Sequence, residues 1–137
     1  MYAGYVCTTL YKFIKMEKLI IDRTKWRTGS CGETATGKGD TALLNKEGFM
    51  CCLGFECLRR GFTEDEISGQ PEPETMIFDD RFEKDRFGDM VNDSGHNKSW
   101  VDQAISINDD ILTTLKEKEE KIQKIFAGQG IEVEFIN

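Results

Sequence analysis

The chain has 137 residues, of which 39% are hydrophobic and 31% are charged, and its formal net charge at pH 7 is −7. This length predicts a single domain with one core, and no apolar run reaches the roughly 20 residues of a membrane span. The net negative charge argues against direct binding to nucleic acids or anionic membranes, because both depend on an excess of lysine and arginine. The five cysteines lack the density of a disulfide scaffold, so we expect free thiols in the reducing cytoplasm.

Residues 1–15 differ in composition from the rest of the chain. They contain Lys12 and Lys15 but no acidic residue, and their apolar stretch lacks the preceding positive charge of a secretory signal. Met16 then begins a segment that is typical of a protein N-terminus. We therefore expect an N-terminal extension at 1–15 and a single domain at 16–137. The alternative is an additional strand at 1–15, because this segment is rich in tyrosine and β-branched residues.

The N-terminal half of the domain predicts a strand, a loop and a buried helix. Residues 18–22, with three apolar residues at 19–21, are typical of a strand, and residues 23–40 form a glycine-rich loop. The nearly continuous apolar segment at 49–58 includes three cysteines and, with Arg59 and Arg60 at its C-terminal end, predicts a buried helix of about twelve residues. Gly61 is a natural stop for that helix. A Thr-x-x-Glu capping box at 63–66 begins another short helix.

The C-terminal half predicts two strands around an amphipathic helix. Residues 104–107 are interpreted as a strand, and a second capping box at 114–117 begins the helix. The alternation of Ile131–Ile136 predicts a half-buried strand. Together these elements predict a small α+β domain with a short, mostly antiparallel sheet, a buried cysteine-rich helix and a C-terminal amphipathic helix.

The glycine-rich loop is the first candidate binding site. Residues 32–39 match G-x-x-x-x-G-K, but Gly39 occupies the position where a nucleotide-hydrolysing P-loop has Ser or Thr, and the strand before it ends too early. Glycines still allow backbone N–H groups to converge on an anion. The alternative is a loop without a ligand, whose tryptophan lies in the core. The predicted ligand-binding residues are Arg23, Lys25, Trp26, Arg27 and Lys38, which carry most of the charge of this positive segment.

The charged stretch at 79–93 is the second candidate site. It is interpreted as a solvated helix or an ordered loop, and its acidic residues outnumber its basic ones. Carboxylates interleaved with phenylalanines could dock into a basic groove of a partner protein, whereas the alternative is a surface that only faces water. The predicted partner-binding residues are Asp79, Asp80, Phe82, Glu83, Asp85, Phe87 and Asp89.

The sequence singles out no catalytic group, metal site or cofactor. Cys51, Cys52 and Cys57 fall within the predicted helix, where cysteine behaves as a small hydrophobic residue. The spacing of the cysteines does not fit zinc ribbons or fingers. Two alternatives stay open: a small enzyme that uses Cys31 with His96, the sole histidine, and a structural zinc module built from the cysteines and that histidine.

Four motifs together resemble a group of small accessory proteins of tailed bacteriophages and prophages. They are IDR-x-x-W at 21–26, LLN-x-x-G-x-MCCLGF at 43–55, AI-x-INDD at 104–110 and G-I-x-x-x-F at 130–135. The resemblance implies a non-enzymatic, cytoplasmic protein of an infected or lysogenic bacterium that binds and neutralises a host component, such as a defence system. It would occupy a basic protein surface or sequester a phosphate-bearing nucleotide signal. Independently of the resemblance, the small size and the alternative N-terminal strand predict a homo-oligomer.

Overall fold

The computed structural model describes residues 16–29, 39–77 and 84–137. The predictions for 1–15 therefore lie outside the described residues. The chain is α+β, as expected, and two single 3-10 turns at Pro73–Met76 and Gly88–Met90 supplement the regular elements. In chain order these are β1 (Glu17–Asp22), α1 (Cys52–Arg59), α2 (Glu64–Ile67), α3 (Lys84–Phe87), α4 (Ser99–Asp109), α5 (Leu115–Ala127) and β2 (Ile131–Ile136).

The two strands pair in parallel, with Glu17 opposite Ile131 at one end and Asp22 opposite Ile136 at the other. The prediction of a mostly antiparallel sheet was therefore wrong. Parallel strands need a crossover connection, and here that connection contains every helix of the described chain. The side chains of alternate residues on both strands point inward, so the sheet covers the core with one face only.

The segment predicted as a strand at 104–107 is part of helix α4 instead. Trp100, Val101, Ala104 and Asn108 are its buried residues, and their spacing is that of one helical face. The strand prediction was wrong because a four-residue segment with three apolar residues cannot distinguish a buried strand from a turn of helix, whereas the full eleven-residue segment shows the helical period.

The buried cysteine-rich helix is confirmed, although it is shorter than the twelve residues predicted. It begins only at Cys52, because the backbone of Cys51 is extended and Met50 pairs with Trp26 in an isolated β-bridge. Its end is as predicted, since Gly61 has a φ of 96°. Gly54 lies so close to a neighbouring loop that a Cβ atom there would be 1.9 Å from the carbonyl oxygen of Leu43.

The amphipathic helix α5 is also confirmed. Thr114 caps it by accepting a 3.2 Å hydrogen bond from the N–H of Glu117. Ile122 and Phe126 are fully buried, and the Phe126 ring packs edge-on against Trp100 at 5.5 Å. Helix α5 therefore packs against both α4 and the sheet. A tight turn leads from α5 directly into β2.

We expect Gly54→Ala to destabilise the protein by about 2 kcal/mol, the cost of overpacking a rigid site. Alanine normally stabilises a helix interior by about 1 kcal/mol relative to glycine, but here the added methyl group would meet the Leu43 carbonyl. Chemical denaturation measures the change. The control is Gly128→Ala, where the nearest atom is 3.4 Å from the new Cβ; this variant should be neutral or slightly more stable. Equal stability of the two variants would contradict the close contact at Gly54.

Candidate functional site

A buried asparagine fixes the residues on which the first candidate site depends. The Oδ1 atom of Asn108 accepts hydrogen bonds from Trp26 Nε1 at 2.8 Å and from the N–H of Cys52 at 3.0 Å. Its Nδ2 atom donates to the carbonyl oxygen of Arg27 at 3.0 Å. Its own carbonyl group accepts from Lys118 Nζ, also at 3.0 Å. One residue of α4 therefore joins the loop after β1 to α1 and α5.

The predicted ligand-binding residues are not gathered around one space. Arg23 donates to both carboxylate oxygens of Glu119, at 2.7 and 2.8 Å. The side chain of Trp26 is buried. Arg27 is fully buried, and its Nε atom donates to a backbone carbonyl at 2.7 Å. Lys25 is exposed, and Lys38 lies outside the described residues. Ligand binding by this set stays a prediction.

A groove lies immediately after the glycine-rich loop, between residues 39–47 and 68–71. It encloses about 700 Å³, which falls within the range of small-molecule sites. Two backbone hydrogen bonds of 2.8 Å, Leu43 N–H to Gln70 and Gly69 N–H to Leu44, join its walls. The groove was not predicted, because the two chain segments that form it carry no shared motif. Its charged lining residues are Asp40, Lys46 and Glu47.

The first wall of the groove is held by side chains that bond to the backbone. Asn45 Nδ2 donates to Asp40 at 2.8 Å, and its Oδ1 accepts the N–H groups of Glu47 and Phe49 at 3.0 and 2.9 Å. The carbonyl that accepts from the buried Arg27 guanidinium belongs to Gly39, at the edge of the groove. The shape of this wall is therefore fixed before any ligand arrives, which lowers the entropic cost of binding.

The second candidate site belongs to a region that holds the entire net charge of the protein. Residues 60–102 contain twelve acidic and five basic residues, a net charge of −7, which equals that of the whole chain. Asp79, Asp80, Phe82 and Glu83 lie outside the described residues. The other three predicted residues have different positions: Asp85 is exposed, Phe87 is buried, and Asp89 accepts a 2.8 Å hydrogen bond from Arg60.

A buried carboxylate anchors this acidic region to the core. Glu56 on α1 is fully buried, and its two oxygens accept hydrogen bonds of 2.6–2.7 Å from Arg59 and Arg60. Arg60 also donates to Asp89 and to the carbonyl group of Phe87, at 2.8 and 3.1 Å. Burying Glu56 is tolerable because both of its oxygens are paired with charged donors. Arg60, which is held by Glu56, therefore positions residues 87–89.

A second group of carboxylates in the acidic region was missed by the sequence reasoning. Burial and the neighbouring Glu74 raise the pKa of Glu72 above its ordinary value. A hydrogen bond from His96 lowers the pKa of Glu74; the distance from His96 Nδ1 to the carboxylate is 2.9 Å. Asn97 Nδ2 lies 3.2 and 3.3 Å from oxygens of Glu72 and Asp102. Only the Glu-Pro-Glu spacing could have suggested this group.

The three described cysteines are core residues, as predicted. Cys51, Cys52 and Cys57 are all buried with free thiols. Burial raises the pKa of Cys51 to about 12 and also raises the pKa values of the other two. A thiol that stays protonated is a poor nucleophile and a poor metal ligand. Within residues 16–29, 39–77 and 84–137, no cluster of His, Cys, Asp and Glu could hold a metal ion; Cys31 lies outside these ranges.

Comparison with known proteins leaves the family open. No protein-family model matches the chain, and no curated protein or solved structure is significantly similar to it. The resemblance to bacteriophage accessory proteins therefore stays a prediction. None of the described helices is both long and apolar enough to cross a membrane.

We expect the three core thiols to resist alkylation in the folded protein. In a variant with Cys7→Ser and Cys31→Ser, iodoacetamide at pH 8 should leave the native mass unchanged, because buried thiols are neither ionised nor accessible. The same sample in guanidinium chloride should gain one label for each remaining cysteine, which is the control for reagent activity. Rapid labelling of the native protein, detected by intact mass, would show a reactive thiol and favour the enzyme alternative.

Proposed function

We propose that this protein is a non-enzymatic binding protein of the bacteriophage accessory kind, which neutralises a host component by covering a basic protein surface. The observation that carries the proposal is the confinement of the whole net charge of −7 to residues 60–102. A concentrated field of one sign accelerates encounter with a partner of the opposite sign and fixes its orientation. A basic nucleic-acid-binding groove on a host protein is the surface that fits this field.

Two basic residues of the acidic region are held by carboxylates of the protein itself. Arg60 is bound by Glu56 and Asp89, and Arg86 Nη2 lies 2.5 Å from Glu66. Glu64 and Asp65, in the first turn of α2, are exposed. A partner would therefore meet exposed carboxylates on a surface where Arg60 and Arg86 are already paired.

The proposal of a non-enzymatic protein is supported by the chemistry of the three described thiols. Cys51, Cys52 and Cys57 are enclosed in the core, and burial holds their pKa values above the ordinary range. His96 has a side chain that is 73% exposed and bonded to Glu74. These groups fit structural roles better than the activated nucleophile and base of covalent catalysis.

A second candidate function is sequestration of a phosphate-bearing small molecule in the groove between residues 39–47 and 68–71. The groove volume of about 700 Å³ suits a nucleotide. Lys46 lines the groove and is exposed, and the predicted ligand residue Lys38 directly precedes Gly39, which also lines it. Arg23 and Arg27 contribute less to this mode, because both guanidinium groups bond within the protein.

Neutralising the exposed carboxylates of the acidic region should weaken binding to a basic surface. We expect the Glu64→Gln, Asp65→Asn, Asp85→Asn variant to lose about tenfold in affinity for an arginine-rich peptide, which is about 1.4 kcal/mol. Isothermal titration calorimetry at low and physiological salt measures the loss, which should shrink as salt screens the charges.

The matched control neutralises three exposed carboxylates elsewhere, Glu117→Gln, Glu120→Gln and Glu132→Gln. Both variants change the net charge equally, so only a localised binding surface distinguishes them. Competition with duplex DNA for a basic host protein provides a second measurement, in which the wild-type protein should displace the DNA. Equal affinities of the two variants would contradict a role for residues 60–102.

A nucleotide panel tests the second candidate. A bound mono-, di- or cyclic nucleotide at 100 times its Kd should stabilise the protein by about 2.7 kcal/mol, seen as a Tm increase of several degrees in a thermal shift assay. Lys46→Ala should reduce this increase, whereas Lys116→Ala, at an exposed position on α5, should not. A Tm unaffected by every nucleotide would exclude this mode and leave the acidic surface as the proposed site.

A further inference from the structure

The outer edge of β1 has hydrogen-bonding groups that face away from β2. The N–H groups of Glu17 and Arg23 both donate to carbonyl groups on the β2 side, at 2.9 Å. Because the bonding direction alternates along a strand, the odd-numbered residues of β1 face β2. The N–H and C=O groups of Lys18 and Ile20 therefore point to the opposite edge.

This edge has no covering element in the described part of the chain. No hydrogen bond involves the main chain of Lys18 or Ile20 there, and the side chain of Ile20 is 49% exposed. The other edge of the sheet differs, because α5 packs beside β2 and Gln123 Nε2 donates to the carbonyl group of Val133 at 3.2 Å. An open, exposed strand edge is a template for pairing with another strand, and two strands alone make a marginal sheet.

The outward-facing residues of β1 are complementary to themselves. Lys18, Ile20 and Asp22 lie on the same face of the strand, with the apolar residue between opposite charges. When this strand is placed antiparallel to a copy of itself with Ile20 at the centre, Lys18 lies opposite the partner's Asp22, and Ile20 contacts the partner's Ile20. Unlike charges and apolar pairs are the favourable cross-strand combinations.

We infer that two copies of the chain associate through the outer edges of β1, forming one four-stranded sheet about a two-fold axis. The interface is isologous, as in most homodimers. Pairing centred on Lys18 or on Asp22 would instead bring like charges together, so the charge pattern selects the central isoleucine. Lys18 already contacts Glu134 on β2 at 2.6 Å, and its ammonium group would lie between that carboxylate and the partner's Asp22. This inference is independent of the proposed function.

Charge reversal provides the decisive experiment, by sedimentation of the full chain over a range of concentrations. The wild-type protein should form a dimer whose fraction rises with concentration. Lys18→Asp puts two aspartates opposite each other at both ends of the interface, and Asp22→Lys puts two lysines there, so each variant alone should be monomeric. An equimolar mixture should recover the dimer, because each strand of one variant then faces the opposite charge on the other. Recovery on mixing shows that both variants are folded.

An apolar substitution and a matched control complete the test. Ile20→Lys should also give a monomer, whereas Leu112→Lys should leave the dimer intact, because Leu112 is 90% exposed on the loop between α4 and α5. A wild-type monomer at every concentration would overturn the inference. A dimer that persists in both single charge variants would do the same.

Hydrogen exchange distinguishes a second copy from other occupants of the edge. The amides of Lys18 and Ile20 should become more protected as protein concentration rises, since pairing with another copy is bimolecular. Protection that is independent of concentration in a monomeric protein would mean that residues 1–15 cover the edge, as in the additional-strand alternative. That outcome would replace the dimer with an intramolecular pairing and overturn the inference.

Discussion

The side-chain amide of Asn108 is the contact on which the other elements depend. It accepts from Trp26 and from the N–H of Cys52, and it donates to the carbonyl of Arg27. The amide both accepts and donates, whereas a carboxylate at the same position would repel that carbonyl oxygen. A fully satisfied buried polar group specifies one arrangement of its neighbours. The start of α1 and the backbone before the groove are therefore set by one residue at the C-terminal end of α4.

Two of the basic residues predicted to bind a ligand bond instead within the protein. Arg23 is held by Glu119, a residue 96 positions away, and Arg27 is buried with its Nε atom on the carbonyl of Gly39. A sequence displays the charge of each residue but not its distant partner. Lys25, by contrast, is exposed. The positive charge of the loop was visible in the sequence, whereas the internal pairing of its arginines was not.

Local features were predictable because their causes lie within a few residues. The capping box of α2, with Thr63 and Glu66 bonded reciprocally, and the alternation of Ile131–Ile136 were both correct. The direction of strand pairing was not predictable from either strand, because it depends on the path of all the intervening helices. The groove between 39–47 and 68–71 was missed for a similar reason: only tertiary contacts bring its walls together. The buried cysteines were predictable, because their apolar surroundings adjoin them in the sequence.

The parallel pairing of Glu17–Asp22 with Ile131–Ile136 has a consequence for how the protein is made. The ribosome releases β1 long before β2 exists, so β1 must wait for β2 while more than a hundred residues are synthesised. Closing so long a loop is slow, since contacts of high sequence separation form late. The sheet therefore completes only after synthesis has passed residue 136, and the apolar face of β1 needs protection by early-forming helices or chaperones until then.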